Sequence, residues 1–294
     1  MSQIAEHENG LGYIVLYGTT DRQHVTYEEA QAMIVKHGLN AELQPPTRAR
    51  ACSRAVAERK SQDRITLNVG NDAKQRIVRF YRPEKDTGTE EVQFPAEDRV
   101  VFDKATETIT VEGEHKEEIE ASFEHFAAHV TGDDIRQLAR DVVERLDGVS
   151  LRGSVDVQDA GGTYFVPMEH RGQLQALANV LEDLRVGYLR VFGVIRGPQE
   201  QLQVALQAEL SIEQQIADIH RLVSKLTMRV NSAVSYRKQL ERLAKLLRDY
   251  SALAGRTPPA ELQRKLDRAI AAADAKVLEL TPKPRKKRRG RKAA

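Results

Sequence analysis

Two histidines have the spacing that comes nearest to a metal site. His125 and His129 lie four residues apart on a predicted helix, so both imidazoles can share one helix face. Imidazoles at this spacing can bind Zn²⁺. Three nearby residues could supply a third ligand: Glu124, His115 and Asp133. The competing interpretation is two partly buried histidines beside Phe126, and we predict no metal and no other cofactor.

The single cysteine is a second candidate for chemistry. Cys52 lies among Arg48, Arg50 and Arg54 on a predicted helix, and nearby guanidinium groups can lower the pKa of a thiol. Nucleophilic catalysis also requires a base and a group that orients it, and no neighbouring residue supplies either. We therefore expect a structural cysteine that is at least partly buried.

The common sequence signatures of catalysis are absent from the chain. No glycine-rich phosphate loop, dinucleotide fingerprint, serine nucleophile elbow or His-Glu-x-x-His helix occurs in it. These absences favour a protein that is not an enzyme, and we predict no catalytic residues.

The strongest functional signal is a basic C-terminal segment. Residues 281–294 contain eight basic residues and no acidic one: Lys283, Arg285, Lys286, Lys287, Arg288, Arg289, Arg291 and Lys292. The remaining 280 residues then hold 37 basic against 43 acidic residues, a net charge of −6. Such a segment is expected to be disordered and to bind polyanions by neutralising phosphates without recognising base sequence.

Three alternatives for this segment are open. It could keep the protein soluble, contact an acidic protein, or lie on an anionic membrane. The arginines near Cys52 form a second basic feature that could also touch phosphates, although Glu58 and Asp63 dilute it.

One aromatic string resembles an RNA-recognition strand. Tyr164 and Phe165 follow Gly161-Gly162, and exposed aromatics on such strands stack on bases. Neighbouring residues of a strand point to opposite faces, so at least one of these two rings must lie in the core. A hairpin that packs its aromatic residues is the favoured interpretation.

Composition limits the class of protein. The chain has 294 residues, a net charge of +2 and one cysteine, so it cannot be a disulfide scaffold. The N-terminus lacks a basic start followed by an apolar stretch, and no run approaches the roughly 18 apolar residues that span a bilayer. We expect a cytoplasmic protein without a membrane segment.

We predict an α+β fold in four parts. Alternating apolar runs separated by turn residues between 65 and 111 predict an antiparallel meander, and helical spacing predicts the helices. The predicted parts are 1–113, an α+β region with antiparallel strands; 114–197, helices and a small α-β-β-α-β unit; 198–280, a long helix or helical hairpin (coiled coil); and 281–294, the disordered basic tail.

The long helical segment carries a heptad pattern. Between Pro198 and Leu253 there is no further proline and no glycine, and apolar residues recur at alternating steps of three and four. This pattern is typical of a coiled coil or a long helical hairpin. A last helix from about Ala260 to Leu280 could pack back on it. We therefore predict homo-oligomers that form through residues 198–253.

Two strings together carry a resemblance to a known family. Pro45-Pro46 precedes a basic Ala/Arg helix, and Gly161-Gly-Thr-Tyr-Phe-Val-Pro167 precedes a leucine-rich helix. With these strings, about residues 25–200 resemble an uncharacterised family of bacterial and phage proteins. The resemblance implies a bacterial or phage cytoplasmic protein and supplies no activity.

The favoured function is therefore non-enzymatic, oligomeric association with nucleic acid, DNA being the expected partner, through the basic tail. The first alternative is an assembly protein whose coiled coil docks a partner chain. The second is a metal-dependent enzyme that uses His125 and His129.

Overall fold

The structure is a computed structural model that describes residue 4 and residues 9–20, 25–60, 64–85, 92–151, 162–225 and 228–281. The eight tail residues that sequence analysis assigns to phosphate binding, and Gly161, lie outside these residues. The contacts divide the chain into two units. The first contains Tyr17–Val142 and Gln173–Leu189, and the second contains Ser2–Leu16, Val143–Gly172 and Arg190–Ala294.

The described residues form twelve strands and eight helices, which confirms the α+β class. The strands are β1 Gly10–Thr19, β2 Val25–Thr26, β3 Ile65–Asn71, β4 Gln75–Tyr81, β5 Glu84–Lys85, β6 Val92–Gln93, β7 Ala96–Asp103, β8 Thr108–Gly113, β9 His129–Val130, β10 Val149–Ser150, β11 Gly162–Pro167 and β12 Gly187–Ile195. The helices are α1 Tyr27–Lys36, α2 Arg48–Glu58, α3 Lys116–Ala128, α4 Gly132–Arg145, α5 Arg171–Leu184, α6 Pro198–Val223, α7 Val230–Leu253 and α8 Ala260–Leu280.

The predicted meander forms the sheet of the first unit. Its strand order is β3-β4-β7-β8, and each neighbouring pair is antiparallel. Residues of β4, β7 and β8 bury one face of the sheet against α2 and α3, with Phe80, Phe102 and Phe123 in the shared core. The other alternate residues stay partly exposed, which is the pattern of a sheet with one covered face.

Local signals set where the helices of the first unit begin. Thr26 and Glu29 form a capping box at α1, in which the Thr26 hydroxyl accepts from the Glu29 amide and the Glu29 carboxylate accepts from the Thr26 amide. Gly38 follows α1 at φ +63°, where glycine is favoured. At α2, Thr47 follows Pro45-Pro46 and caps the helix, because its side chain accepts from the Arg50 amide.

The sheet of the second unit contains a strand that comes from the N-terminal end of the chain. Its order is β10-β11-β1-β12, so β1 lies between two strands of the predicted α-β-β-α-β unit. Gly12 permits this close approach, because a Cβ there would lie 2.4 Å from the Val166 carbonyl oxygen and 2.5 Å from the Phe165 ring. Nothing local in the sequence of β1 indicates this pairing.

The segment predicted as a long helix or helical hairpin folds into three helices. The chain reverses after Val223 and again after Leu253, so α7 is antiparallel to both α6 and α8. All three helices pack side by side. Ion pairs fix this arrangement: Arg237 of α7 bonds Asp274 of α8, and Lys265 of α8 bonds Glu213 of α6 at 2.6 Å. Residues 198–253 therefore do not form one continuous helix. Instead, α6 and α7 form a helical hairpin, and α8 packs against both.

The heptad positions are buried inside this one chain. Ile216, Ile219, Leu240 and Leu247 belong to a core that α6, α7 and α8 share. Because these side chains already have partners, the apolar stripe is not available to pair two copies as a coiled coil. The Tyr250 hydroxyl also donates to the Asp147 carbonyl oxygen at 2.8 Å, which ties α7 to the chain just before β10.

None of the described helices is both long enough and apolar enough to cross a membrane.

Truncation of Leu240 should test the core of the three helices. Leu240 is fully buried, so Leu240→Ala should lower the free energy of unfolding by about 2–5 kcal/mol, measured by urea denaturation. Leu278 is 77% exposed, and Leu278→Ala should change it by less than about 0.5 kcal/mol. Equal losses in the two variants would contradict the observed packing.

Candidate functional site

The arginines of α2 are engaged within the chain. Arg48 bonds Glu124 of α3 at 2.6 Å and Arg54 bonds Asp134 of α4 at 2.9 Å. Arg59 pairs with Glu118, and the Arg48 guanidinium also lies 4.7 Å from the centroid of the Phe123 ring. These groups would have to leave carboxylates in order to contact phosphates, so the second basic feature of the sequence acts as an internal connection between helices.

Asp134 is the centre of this connection. Its side chain is 12% exposed, and it accepts from Arg54 and from both the amide and the hydroxyl of Thr131. Burial alone would raise the pKa of Asp134, but the hydrogen bonds from Arg54 and Thr131 outweigh it and hold the pKa below its ordinary value. The carboxylate therefore stabilises the fold in its charged form.

Cys52 is a buried residue of α2, the helix that also carries Arg48, Arg50 and Arg54. It is 2% exposed and packs in the core of the first unit. Burial raises the pKa of the Cys52 thiol, although the positive charge of Arg76 acts in the opposite direction. A thiol that is buried and hard to deprotonate is a poor nucleophile. The expectation that Cys52 is at least partly buried is confirmed.

The two histidines of the candidate metal site lie together. The rings of His125 and His129 stack at 4.0 Å between centroids with 20° between their planes, and His129 Nδ1 lies 2.8 Å from the His125 carbonyl oxygen. Because a carbonyl oxygen only accepts, Nδ1 is the donor in this contact. The Glu124 carboxylate, one of the suggested third ligands, bonds Arg48.

A different trio is the one group of three metal-type donors found among the described residues: Glu97, Asp98 and His115. Asp98 is buried and accepts from the His115 amide at 3.0 Å, and its other oxygen lies 2.9 Å from His115 Nδ1. Arg64 and Arg82 both bond the Glu97 carboxylate. These contacts join β7 to the start of α3. Both carboxylates have hydrogen-bond partners from side chains or backbone, so neither requires a metal ion as a partner.

The aromatic pair of β11 divides as the alternation of a strand requires. Phe165 is buried and meets the ring of Tyr250 edge to face at 6.1 Å, whereas Tyr164 is half-buried. β11 is paired on both sides, by β10 and by β1. The prediction that at least one ring lies in the core is confirmed, and Phe165 is not available for base stacking.

One basic pocket was not predicted from the sequence. It lies where the chain reverses between α6 and α7 and includes Lys225 and Arg229, two exposed cations that make no ion pair or side-chain hydrogen bond with the described part of the chain. The only sequence signal was two basic residues beside a reversal that contains neither glycine nor proline. The position of the reversal was itself not predicted.

Comparison with known proteins places the chain in a family. The model of a family of unknown function (DUF6744) matches residues 10–283, so the chain belongs to that family. The resemblance to an uncharacterised family is thereby confirmed, and the match covers both units. No curated protein and no solved structure matches the chain.

Neutralising Asp134 should destabilise the protein in a manner that depends on pH. A carboxylate whose pKa is lowered by folding stabilises the fold above its ordinary pKa of 3.8, and this contribution is lost as the pH falls through the lowered value. Asp134→Asn should therefore lower the free energy of unfolding by about 1–3 kcal/mol at pH 7, and the gap to wild type should shrink below pH 3.8.

The neighbouring Asp133 supplies the control. Its side chain is 75% exposed and pairs with Arg136 on the same helix, so Asp133→Asn should cost less than about 0.5 kcal/mol. Denaturant titrations at several pH values measure both variants. A gap for Asp134→Asn that stays constant between pH 7 and pH 3 would contradict the role assigned to its charge.

Proposed function

We propose that this protein is a non-enzymatic nucleic-acid-associated protein that binds the phosphate backbone without sequence specificity. The observation that carries the proposal is the run of eight basic residues between 283 and 292, in a segment that has no acid. Double-stranded DNA carries about one charge per 1.7 Å of its axis, so DNA is the favoured partner. A cytoplasmic location is part of the proposal.

The charges of the body support this assignment to the tail. The 280 residues before the last fourteen carry a net charge of −6, which weakly repels a polyanion. The α2 arginines pair with Glu118, Glu124 and Asp134. Phosphate attraction is thus concentrated in the C-terminal segment.

The physical mechanism is counterion release. Each phosphate that a lysine or arginine neutralises releases condensed cations from DNA, and this release makes binding weaken steeply with salt. No base edge needs to be recognised, so different DNA sequences of equal length are bound alike. If two copies of the chain associate, their linked tails act at a high effective concentration on one DNA molecule.

Neutralising the tail should abolish most of the salt dependence. A variant with the eight basic residues changed to Gln should show a slope of log affinity against log salt that is smaller by up to about seven for duplex DNA. Fluorescence anisotropy with DNA, RNA and heparin at several salt concentrations measures this.

The matched control shuffles the order of residues 283–292. It keeps the charge and length, and it should bind as wild type does because the contact does not depend on sequence. The proposal is wrong if the neutralised variant keeps the wild-type affinity and slope.

A second candidate function is assembly, and an exposed leucine row on α6 favours it. Leu202, Leu206 and Leu210 are 43%, 38% and 52% exposed and lie at steps of four on one helix face. A groove of about 420 Å³ between α6 and α8 runs beside them and is lined in part by Leu206, Leu210 and Leu262. We infer a second copy as the occupant, because identical rows at steps of four interdigitate with each other.

This candidate predicts a dimer that one charge disrupts. Light scattering should give twice the 33.0 kDa of the chain, and Leu206→Glu should give the monomer mass, since a buried unpaired carboxylate is costly. Leu278→Glu, at an exposed leucine of α8, should leave the dimer intact. A monomeric wild type at tens of micromolar would rule the candidate out.

A further inference from the structure

One end of the three-helix arrangement collects the end of α6, the start of α7 and the end of α8. The contact between Arg237 and Asp274 sets α7 against α8, and the contact between Lys265 and Glu213 sets α8 alongside α6. Counting along the helices from these contacts brings Val223, Val230 and Thr281 to the same end. The basic tail is therefore attached where the chain reverses between α6 and α7.

A cavity of about 350 Å³ lies at this reversal. Its lining combines two cations, two hydroxyl groups and two apolar side chains: Lys225, Arg229, Ser232, Tyr236, Leu222 and Met228. Among the residues that the structure describes, no acidic residue lines it. Tyr236 and Met228 also pack against the core of the helices, which holds this wall of the cavity in place.

The two cations of the cavity have no carboxylate partner among the described residues. Lys225 and Arg229 are exposed, and neither makes an ion pair or a side-chain hydrogen bond with another residue that the structure describes. This contrasts with the α2 arginines, which bond carboxylates. A lysine, a guanidinium fork and two hydroxyl donors around one cavity form a donor set that suits a phosphate group.

We propose that this pocket binds a phosphate of the same nucleic acid that the tail contacts. The inference rests on the proposed function and adds a fixed contact to it, with Lys225 and Arg229 as the charged partners. A fully extended chain of the thirteen residues 282–294 spans at most about 45 Å, so tail and pocket reach neighbouring phosphates of one molecule. The pocket would fix the orientation of the helices on the nucleic acid, which the tail alone would contact without a defined orientation.

The test removes the two pocket charges and leaves the tail intact. Lys225→Gln/Arg229→Gln should lower the salt slope for duplex DNA by about two and the affinity on the order of tenfold near physiological salt. The control Arg248→Gln/Arg268→Gln removes two exposed charges of α7 and α8 that do not belong to the lining given for this cavity, and it should leave the slope within about 0.5 of wild type. Circular dichroism melts confirm that both variants fold.

The outcomes separate the pocket from the tail. If the salt slope falls equally in the pocket and control variants, or falls in neither, the proposed phosphate site is wrong. A slope that falls only in the pocket variant supports it. The pocket substitutions are also made in the tail-neutralised variant. This distinguishes failure of the pocket proposal from failure of the proposed function of the tail. If tail neutralisation changes nothing and the pocket substitutions still lower the slope, the tail proposal is wrong and the pocket stands.

Discussion

The burial of the apolar stripes of α6, α7 and α8 against one another is the interaction on which the second unit depends. Each stripe alone would leave a row of leucine, isoleucine and valine in water, at a cost of roughly 25 cal/mol for every Å² exposed. Folding back twice removes all three rows at once. The same packing places the chain reversal that carries Lys225 and Arg229 at the end of the helices where α8 finishes and the tail is attached. The hydrophobic core therefore determines where these charges lie.

Charge in the first unit serves the fold instead. The arginines of α2 meet carboxylates from α3 and α4, and Arg48 also covers the ring of Phe123. An arginine-rich helix is therefore not by itself a nucleic-acid surface. Unlike Arg48 and Arg54, Lys225 and Arg229 bond no carboxylate in the part of the chain that the structure describes.

Sequence reasoning found what local pattern specifies. The meander and the buried Cys52 follow from the alternation of apolar residues and from side-chain polarity. Two features did not follow from local pattern. The place of β1 between β11 and β12 depends on residues more than 140 positions away, and the reversal after Val223 has neither glycine nor proline to mark it. The arginine pairs were missed for the same reason, because Glu118, Glu124 and Asp134 are far from α2 in the chain.

The interleaving of the two units has a consequence for synthesis. β1 is synthesised before its neighbours β11 and β12, which are completed only after residues 167 and 195. Nearly all of the first unit is made in between. The apolar strand, with Gly-Tyr-Ile-Val-Leu-Tyr at its centre, therefore lacks both neighbours while the meander is made. Until they are synthesised, this strand needs protection from strand-to-strand aggregation.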